Sequence, residues 1–244
     1  CQWWVNRWLP DSRVWQDCAW ALVPLSAMGL LLWFGPRIRW PVRRYLTTYL
    51  GSALIPVAVL LLAWFIWAVG SDADPAPLPY LPLLNMLELT QLLILLLLSL
   101  WVLLHRGHSS RIFGEMEPTI PLYLLGFMAF VLLNEVIAHT IHHGYGIPYR
   151  PHALHRSQLV QATLSVAWSV TALLITATAT RMGQRTLWIV GATLLVLVVV
   201  KLFVIDLAGS GTIARIVSFI AVGVLMLLIG YFSPMPPKRA GESA

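Results

Sequence analysis

The chain has 244 residues, of which 59% are hydrophobic and only 11% are charged, and its mean hydropathy is +0.78. This composition excludes an ordinary soluble domain and predicts an all-α fold, a polytopic bundle of transmembrane helices. The net charge of +6 does not indicate nucleic-acid binding, because the 16 Lys and Arg residues are dispersed in short loops between apolar stretches.

The ends of the chain carry little information about its compartment. No basic segment precedes the first hydrophobic stretch, so we expect no signal peptide within these residues. Because the chain begins at Cys1, we interpret it as part of a longer protein, in preference to a mature lipoprotein that starts at cysteine. Cys18 falls in an apolar stretch, and we expect no disulfide between the two cysteines.

About seven apolar stretches approach the roughly 20 residues that a helix needs to cross the hydrocarbon core. A Trp-rich segment, residues 1–17, comes first, and its mixture of aromatic and charged residues is typical of the headgroup level. The predicted spans are 18–34, 46–69, 83–104, 120–138, 158–180, 187–205 and 212–232. The second span contains Pro56, which is tolerated where neighbouring helices satisfy the freed carbonyl. Residues 233–244 are predicted to be a disordered cytoplasmic tail.

Positive residues in the loops predict the orientation of the chain. One face would carry Arg7, Arg13, Arg150, Arg156 and Arg215. The opposite face would carry Arg37, Arg39, Arg43, Arg44, Arg106, Arg111, Arg181, Arg185, Lys238 and Arg239. Because the more positive face is cytoplasmic, we expect the carboxyl end inside the cell. The amino end and a histidine-bearing loop over residues 139–157 would then lie outside.

With this orientation, the polar residues of the spans fall at one depth beneath the outer surface. They are Glu88, Glu135, Gln161, Lys201, Asp206 and Arg215. At 1.5 Å per residue, Lys201 would lie roughly 7 Å inward of Asp206 and could pair with either glutamate. We favour interhelical pairs and hydrogen bonds that hold the bundle together. The alternative is a polar cavity, open to the outside, that binds an ion, a lipid headgroup or a substrate.

Five of the seven histidines fall in the predicted loop: His139, His142, His143, His152 and His155. On a helix, His139 and His143 would project from one face, a geometry that lets two imidazoles share a metal ion. The run HTIHH also resembles one histidine box of the membrane di-iron hydroxylases and desaturases, but those enzymes use more ligands and hold their iron on the cytoplasmic side. A single zinc ion is a less demanding alternative. We favour amphipathic, interfacial histidines without a metal.

Three runs resemble the carboxyl-terminal part of a bacterial multi-spanning membrane protein family, domain of unknown function 2339. They are HTIHHGYGIPY, the stretch that begins SQLVQATLSVAW, and VVVKLFVIDLAGSGTIARIVSF, within about residues 134–237. The residues that match the family's pattern are Gln161, Trp168, Lys201, Asp206, Arg215 and Ser218. The resemblance implies an inner-membrane protein that is a piece of a longer chain. It implies no activity, cofactor or ligand.

Three functions are compatible with these observations, and we identify no catalytic residue. We favour a non-enzymatic structural or assembly module of a larger envelope protein in the bacterial inner membrane. The second is a transporter or lipid-handling domain that uses the polar layer, and the third is a metal-dependent membrane enzyme at residues 139–155. The expected partners are membrane lipids and the rest of a longer chain or other envelope proteins, without nucleic acid. We expect no cofactor, with zinc as the alternative.

Overall fold

The structure is a computed structural model that describes residues 13–38, 45–104 and 119–202, and the separate positions 220, 223, 224 and 227. Within these residues the regular elements are all helical, so the prediction of an all-α protein is confirmed. The α-helices are α1 (Arg13–Phe34), α2 (Leu46–Leu50), α3 (Ile55–Ala68), α4 (Met86–Leu104), α5 (Ile120–Tyr145), α6 (Pro151–Arg156), α7 (Gln158–Met182) and α8 (Arg185–Lys201).

Five described helices are long and apolar enough to cross a membrane. They are Arg13–Arg37, Thr48–Ala68, Met86–Leu104, Ile120–Tyr145 and Gln158–Met182, and they correspond to the first five predicted spans. Helix α8 covers most of the sixth predicted span with 17 residues. The seventh predicted span lies mainly outside the described residues, and the predicted tail lies wholly outside them. The chain is therefore a multi-pass membrane protein of the predicted class.

The predicted span over 46–69 places Pro56 inside one long helix, but in the structure Pro56 lies near the start of a helix. The chain bends at Gly51, passes through a short 3-10 turn at Ser52–Leu54, and begins α3 at Ile55. Pro56 therefore occupies the first turn of α3. An amide N–H has no partner within the helix at that position, so proline costs nothing there and no neighbouring helix has to compensate.

Helix α5 continues through the histidine run that the sequence predicts as a loop. It ends at Tyr145, and Gly146 then adopts a left-handed conformation with a φ of 69°. The Gly146 N–H donates to the His142 carbonyl over 3.0 Å, which closes the last turn. The run HTIHH contains no helix breaker, so the helix stops only where glycine permits the reversal. His139 and His143 consequently lie on a helix.

The structure comprises two compact units, residues 1–149 and 150–244. In the first unit, α4 packs against α1, α3 and α5. Leu61, Phe65 and Ile94 are completely buried in this core, and the Trp101 indole donates to the Leu50 carbonyl over 2.7 Å. Lipid tails are as apolar as these side chains, so close packing and interhelical hydrogen bonds hold such helices together.

The second unit contains the hairpin of α7 and α8, preceded by α6. The Ser157 hydroxyl caps α7 by accepting from the Val160 N–H, and Gly183, with a φ of 63°, ends the helix. Gly191 of α8 is buried against Thr176 of α7. A Cβ atom at Gly191 would lie 2.6 Å from the Thr176 Oγ1, so only glycine fits at this approach.

Candidate functional site

The polar residues of the first unit gather where the end of α5, the start of α4 and the loop over residues 69–85 meet. Glu88 lies in the first turn of α4, and His139 lies near the end of α5. The two helices contact each other along their length. The start of α4 therefore lies beside the end of α5, which brings together Glu88 and His139, 51 positions apart in the sequence.

Glu88 and His139 form a completely buried pair. The His139 Nδ1 lies 3.0 Å from the Glu88 Oε1, and both side chains are 0% exposed. The His139 Nε2 lies 3.0 Å from the Ser71 carbonyl oxygen. A carbonyl oxygen can only accept, so Nε2 carries a hydrogen, and the pair shares a second proton between Nδ1 and the carboxylate.

Two further donors favour an ionised Glu88. The Tyr80 hydroxyl donates to Oε1 over 2.8 Å, and the Leu83 N–H donates to Oε2 over 2.6 Å. Burial raises the pKa of the Tyr80 hydroxyl, so this group keeps its proton and can donate it. Glu88 thus accepts from two donors of the loop in addition to its contact with His139.

The same residues anchor the loop over residues 69–85. Ala73 and Leu83 adopt φ angles of 53° and 65°, a left-handed conformation that residues other than glycine rarely adopt. The Asn85 side chain donates to the Ala73 carbonyl over 2.9 Å, and Glu88 binds the Leu83 N–H. Two buried side chains hold these unfavourable conformations in place: Asn85, just before α4, holds Ala73, and Glu88, in the first turn of α4, holds Leu83.

His143 and Tyr149 complete the wall around His139. The His143 Nε2 lies 3.0 Å from the Asp72 carbonyl oxygen. The Tyr149 ring lies 4.7 Å from the His139 ring, and its hydroxyl donates to the Val69 carbonyl over 3.0 Å. Burial raises the pKa of Tyr149 as well. The cluster is therefore closed by neutral tyrosines and backbone carbonyls.

A second polar pair lies one helical turn deeper, where Gln91 of α4 meets Glu135 of α5. The Gln91 Nε2 lies 3.1 Å and 2.9 Å from the two carboxylate oxygens of Glu135. Gln91 is 0% exposed and Glu135 is 3% exposed. The Gln91 Oε1 is buried without a hydrogen-bond partner among the described residues. Glu135 has no basic side chain bonded to it in this part of the structure.

A cleft of about 550 Å³ is lined by the start of α1, the end of α3 and the loop over residues 69–85. Its charged lining residues are Arg13, Asp17, Asp72 and Asp74. Ser71 also lines the cleft, and its carbonyl oxygen accepts from His139. Ser71 thus lies between the cleft and the buried pair of Glu88 and His139.

Lys201 lies in the second unit, in the last turn of α8. Its Nζ donates to the Gln161 carbonyl over 3.0 Å and to the Ser165 hydroxyl over 2.7 Å, and the residue is 9% exposed. The Gln161 side chain itself donates to the Leu154 carbonyl over 3.2 Å. These contacts fasten α8 to α7 through a charged donor.

The predicted polar layer is thus distributed over two units. Glu88 and Glu135 belong to the first unit, and Gln161 and Lys201 belong to the second. Asp206 and Arg215 lie outside the described residues, so the complete layer stays a prediction. Reasoning from the sequence overlooked His139 and Gln91 as the partners of the two carboxylates. The available signal is the spacing on both helices, because Glu88 and Gln91 share one face of α4, and Glu135 and His139 share one face of α5.

Three histidines of the predicted metal site, His139, His142 and His143, have other partners in the structure. His142 Nδ1 lies 2.6 Å from the Ile147 carbonyl oxygen, and both nitrogens of His139 are engaged. His152 and His155 lie on α6 in the second unit. Among the described residues, no three His, Cys, Asp or Glu side chains converge as a metal-binding group.

Comparison with known proteins identifies relatives. The model of a family described as a predicted membrane protein, DUF2339, matches residues 1–236. The match extends well beyond the carboxyl-terminal part in which the sequence resemblance is evident. Searches of curated proteins and of solved structures found no match. The chain belongs to the DUF2339 family of membrane proteins.

Proposed function

We propose that this chain is a non-enzymatic structural module of the bacterial inner membrane and part of a longer envelope protein. The observation that carries the proposal is the set of partners of Glu88. This one carboxylate binds the Tyr80 hydroxyl, the Leu83 N–H and the His139 imidazole. Through these contacts Glu88 links the loop over residues 69–85 to α4 and α5.

Similar contacts in both units support this role. His139 ties the end of α5 to the loop at Ser71, and Lys201 ties α8 to the backbone of α7. Interhelical hydrogen bonds in membranes contribute about 0.6–2 kcal/mol each. Most buried polar groups of the described residues are engaged in contacts of this kind, which suits a scaffold better than a site that must open to a substrate.

The proposal includes the orientation that the loop charges predict. The loop over residues 69–85 carries Asp72 and Asp74 and no Lys or Arg. Arg181 and Arg185 flank the connection between α7 and α8. Because positive loops stay in the cytoplasm, the loop and its buried cluster would face the outside.

A double-mutant cycle tests the structural role. Glu88→Gln and His139→Gln are each expected to lower the free energy of unfolding in detergent, because each leaves a buried partner unsatisfied. The double variant should be less destabilised than the sum, with a coupling energy of about 1–3 kcal/mol.

Vesicle assays complete the test. Vesicles that contain the wild-type protein should pass no more ions or labelled phospholipid than protein-free vesicles. Flux that depends on the wild-type protein and disappears in Glu88→Gln would contradict the proposal.

A transport or lipid-handling role is the second candidate. The unpartnered Gln91 Oε1 beside Glu135 favours it, because ionisable groups within spans often mark ion pathways. The flux measurement above separates the two candidates.

A further inference from the structure

We propose that Glu135 is a proton-binding site inside the membrane-spanning part of the first unit, and that Gln91 is the residue that holds its carboxyl group in either protonation state. The ligand is a single proton. This inference goes beyond the structural role, because a module that only fastens helices needs no proton on Glu135.

Among the described residues of the first unit, buried carboxyl groups outnumber buried basic side chains. The described residues of the first unit bury the carboxyl groups of Glu88 and Glu135 and one imidazole, that of His139, but no Lys or Arg. One imidazole can compensate at most one of the two carboxylates, and this imidazole is hydrogen-bonded to Glu88. Glu135 is left without a cation of its own. An uncompensated charge in a membrane interior is costly, and a bound proton removes it.

The Gln91 amide group can serve either protonation state of the Glu135 carboxyl group. Its NH₂ group donates to an ionised carboxylate, while its carbonyl oxygen accepts from a protonated one. The NH₂ group faces both oxygens of Glu135 at 2.9–3.1 Å. The carbonyl oxygen is fully buried and has no partner in the described part of the chain. A half-turn of the amide group directs this free acceptor to a protonated Glu135.

The other described groups that face Glu135 do not compensate a charge on its carboxylate. Glu88 on α4 and His139 on α5 form a neutral pair, so together they supply no net charge to the site. Tyr149 follows α5, and burial raises its pKa, so it also stays neutral. The proton on Glu135 thus brings the net charge of the whole cluster to zero.

Infrared difference spectroscopy of the protein in lipid nanodiscs tests the proposal. At neutral pH, the wild-type protein should show the C=O stretching band of a neutral carboxylic acid, and this band should shift in D₂O. Glu135→Gln should lose the band, and the control variant Asp74→Asn, which removes an exposed carboxylate of the loop, should keep it. A wild-type spectrum without the band would overturn the proposal, as would a band that Glu135→Gln keeps.

A measurement on the unaltered protein guards against variants that fail to fold. With ¹³C-labelled glutamate, carboxyl NMR should show a neutral glutamic acid at neutral pH. A spectrum in which every glutamate is already ionised at neutral pH would refute the site. The coupling between Glu88 and His139 is measured separately, so the structural role can survive this result.

Discussion

Gly191 shows how a single hydrogen atom in place of a side chain decides the packing of two helices. Its missing Cβ would lie 2.6 Å from the Thr176 Oγ1 and 3.0 Å from the Thr176 backbone nitrogen. A side chain can move away from such a contact, but a backbone atom inside a helix cannot. The approach of α7 and α8 therefore depends on glycine at this position.

Gly191→Ala should destabilise the protein by about 1–3 kcal/mol, the usual cost of an oversized residue at a tight contact. Gly126→Ala is the matched control, because a Cβ atom there would meet nothing within 4 Å. Thermal unfolding in detergent measures both variants. Equal midpoints for the two variants would contradict the close approach of α7 and α8.

At the scale of single residues, the sequence identifies polar side chains that are costly to place within a membrane, but it does not identify their hydrogen-bond partners. Composition alone marks Glu88, Glu135 and Lys201 as polar groups that need a reason to lie within spans. The partners could not be chosen, because helices that are apolar on all sides do not reveal which faces meet. His139 was interpreted as a residue of an interfacial loop, and its pairing with Glu88 depends on a contact across 51 residues.

At the scale of elements, the spans were predictable and their ends were not. The lengths and apolarity of the five described spans follow directly from the sequence. The start of α3 at Ile55 and the end of α5 at Tyr145 depend on where Pro56 and Gly146 interrupt the helices. The loop over residues 69–85 is held by side chains of neighbouring helices, and no local sequence pattern predicts these contacts.

The tyrosines around this loop make the first unit sensitive to alkaline pH. Burial raises the pKa of Tyr149 in the folded protein, whereas an unfolded tyrosine loses its proton near pH ~10. Above that pH the unfolded chain releases the proton and the folded chain retains it, so stability falls as pH rises.

The midpoint of thermal unfolding in detergent should therefore decline from about pH 10 upward. Tyr149→Phe should reduce the slope of this decline, even though it loses the hydrogen bond to the Val69 carbonyl. Tyr145→Phe is the control, because Tyr145 is 71% exposed. If both variants show the wild-type slope, Tyr149 does not cause the sensitivity.

At the scale of the whole molecule, the two units use different polar chemistry. The first buries carboxylates with an imidazole, and the second buries a lysine against a carbonyl and a hydroxyl. Glu88 and His139 bind each other within the first unit, and Lys201 binds its two acceptors within the second unit. Each unit can therefore keep its internal packing by its own contacts.

Labelling of intact cells tests the orientation of the whole chain. In a Cys1→Ser background, Leu78→Cys should react with a membrane-impermeant maleimide, because Leu78 is exposed in the loop that we place outside. Gln184→Cys, in the connection between α7 and α8, should react only after the cells are permeabilised. The reverse pattern would invert the proposed topology.

The two left-handed residues of the loop have a practical consequence for work on this family. Extramembrane loops are the usual place to insert an epitope or a fluorescent protein, because most of them tolerate extra residues. Here Ala73 and Leu83 each cost about 1–2 kcal/mol in backbone conformation, and only anchored neighbours keep them there. An insertion between them would release that conformation and detach the loop from Glu88, so reporter fusions belong at the Gln184 connection instead.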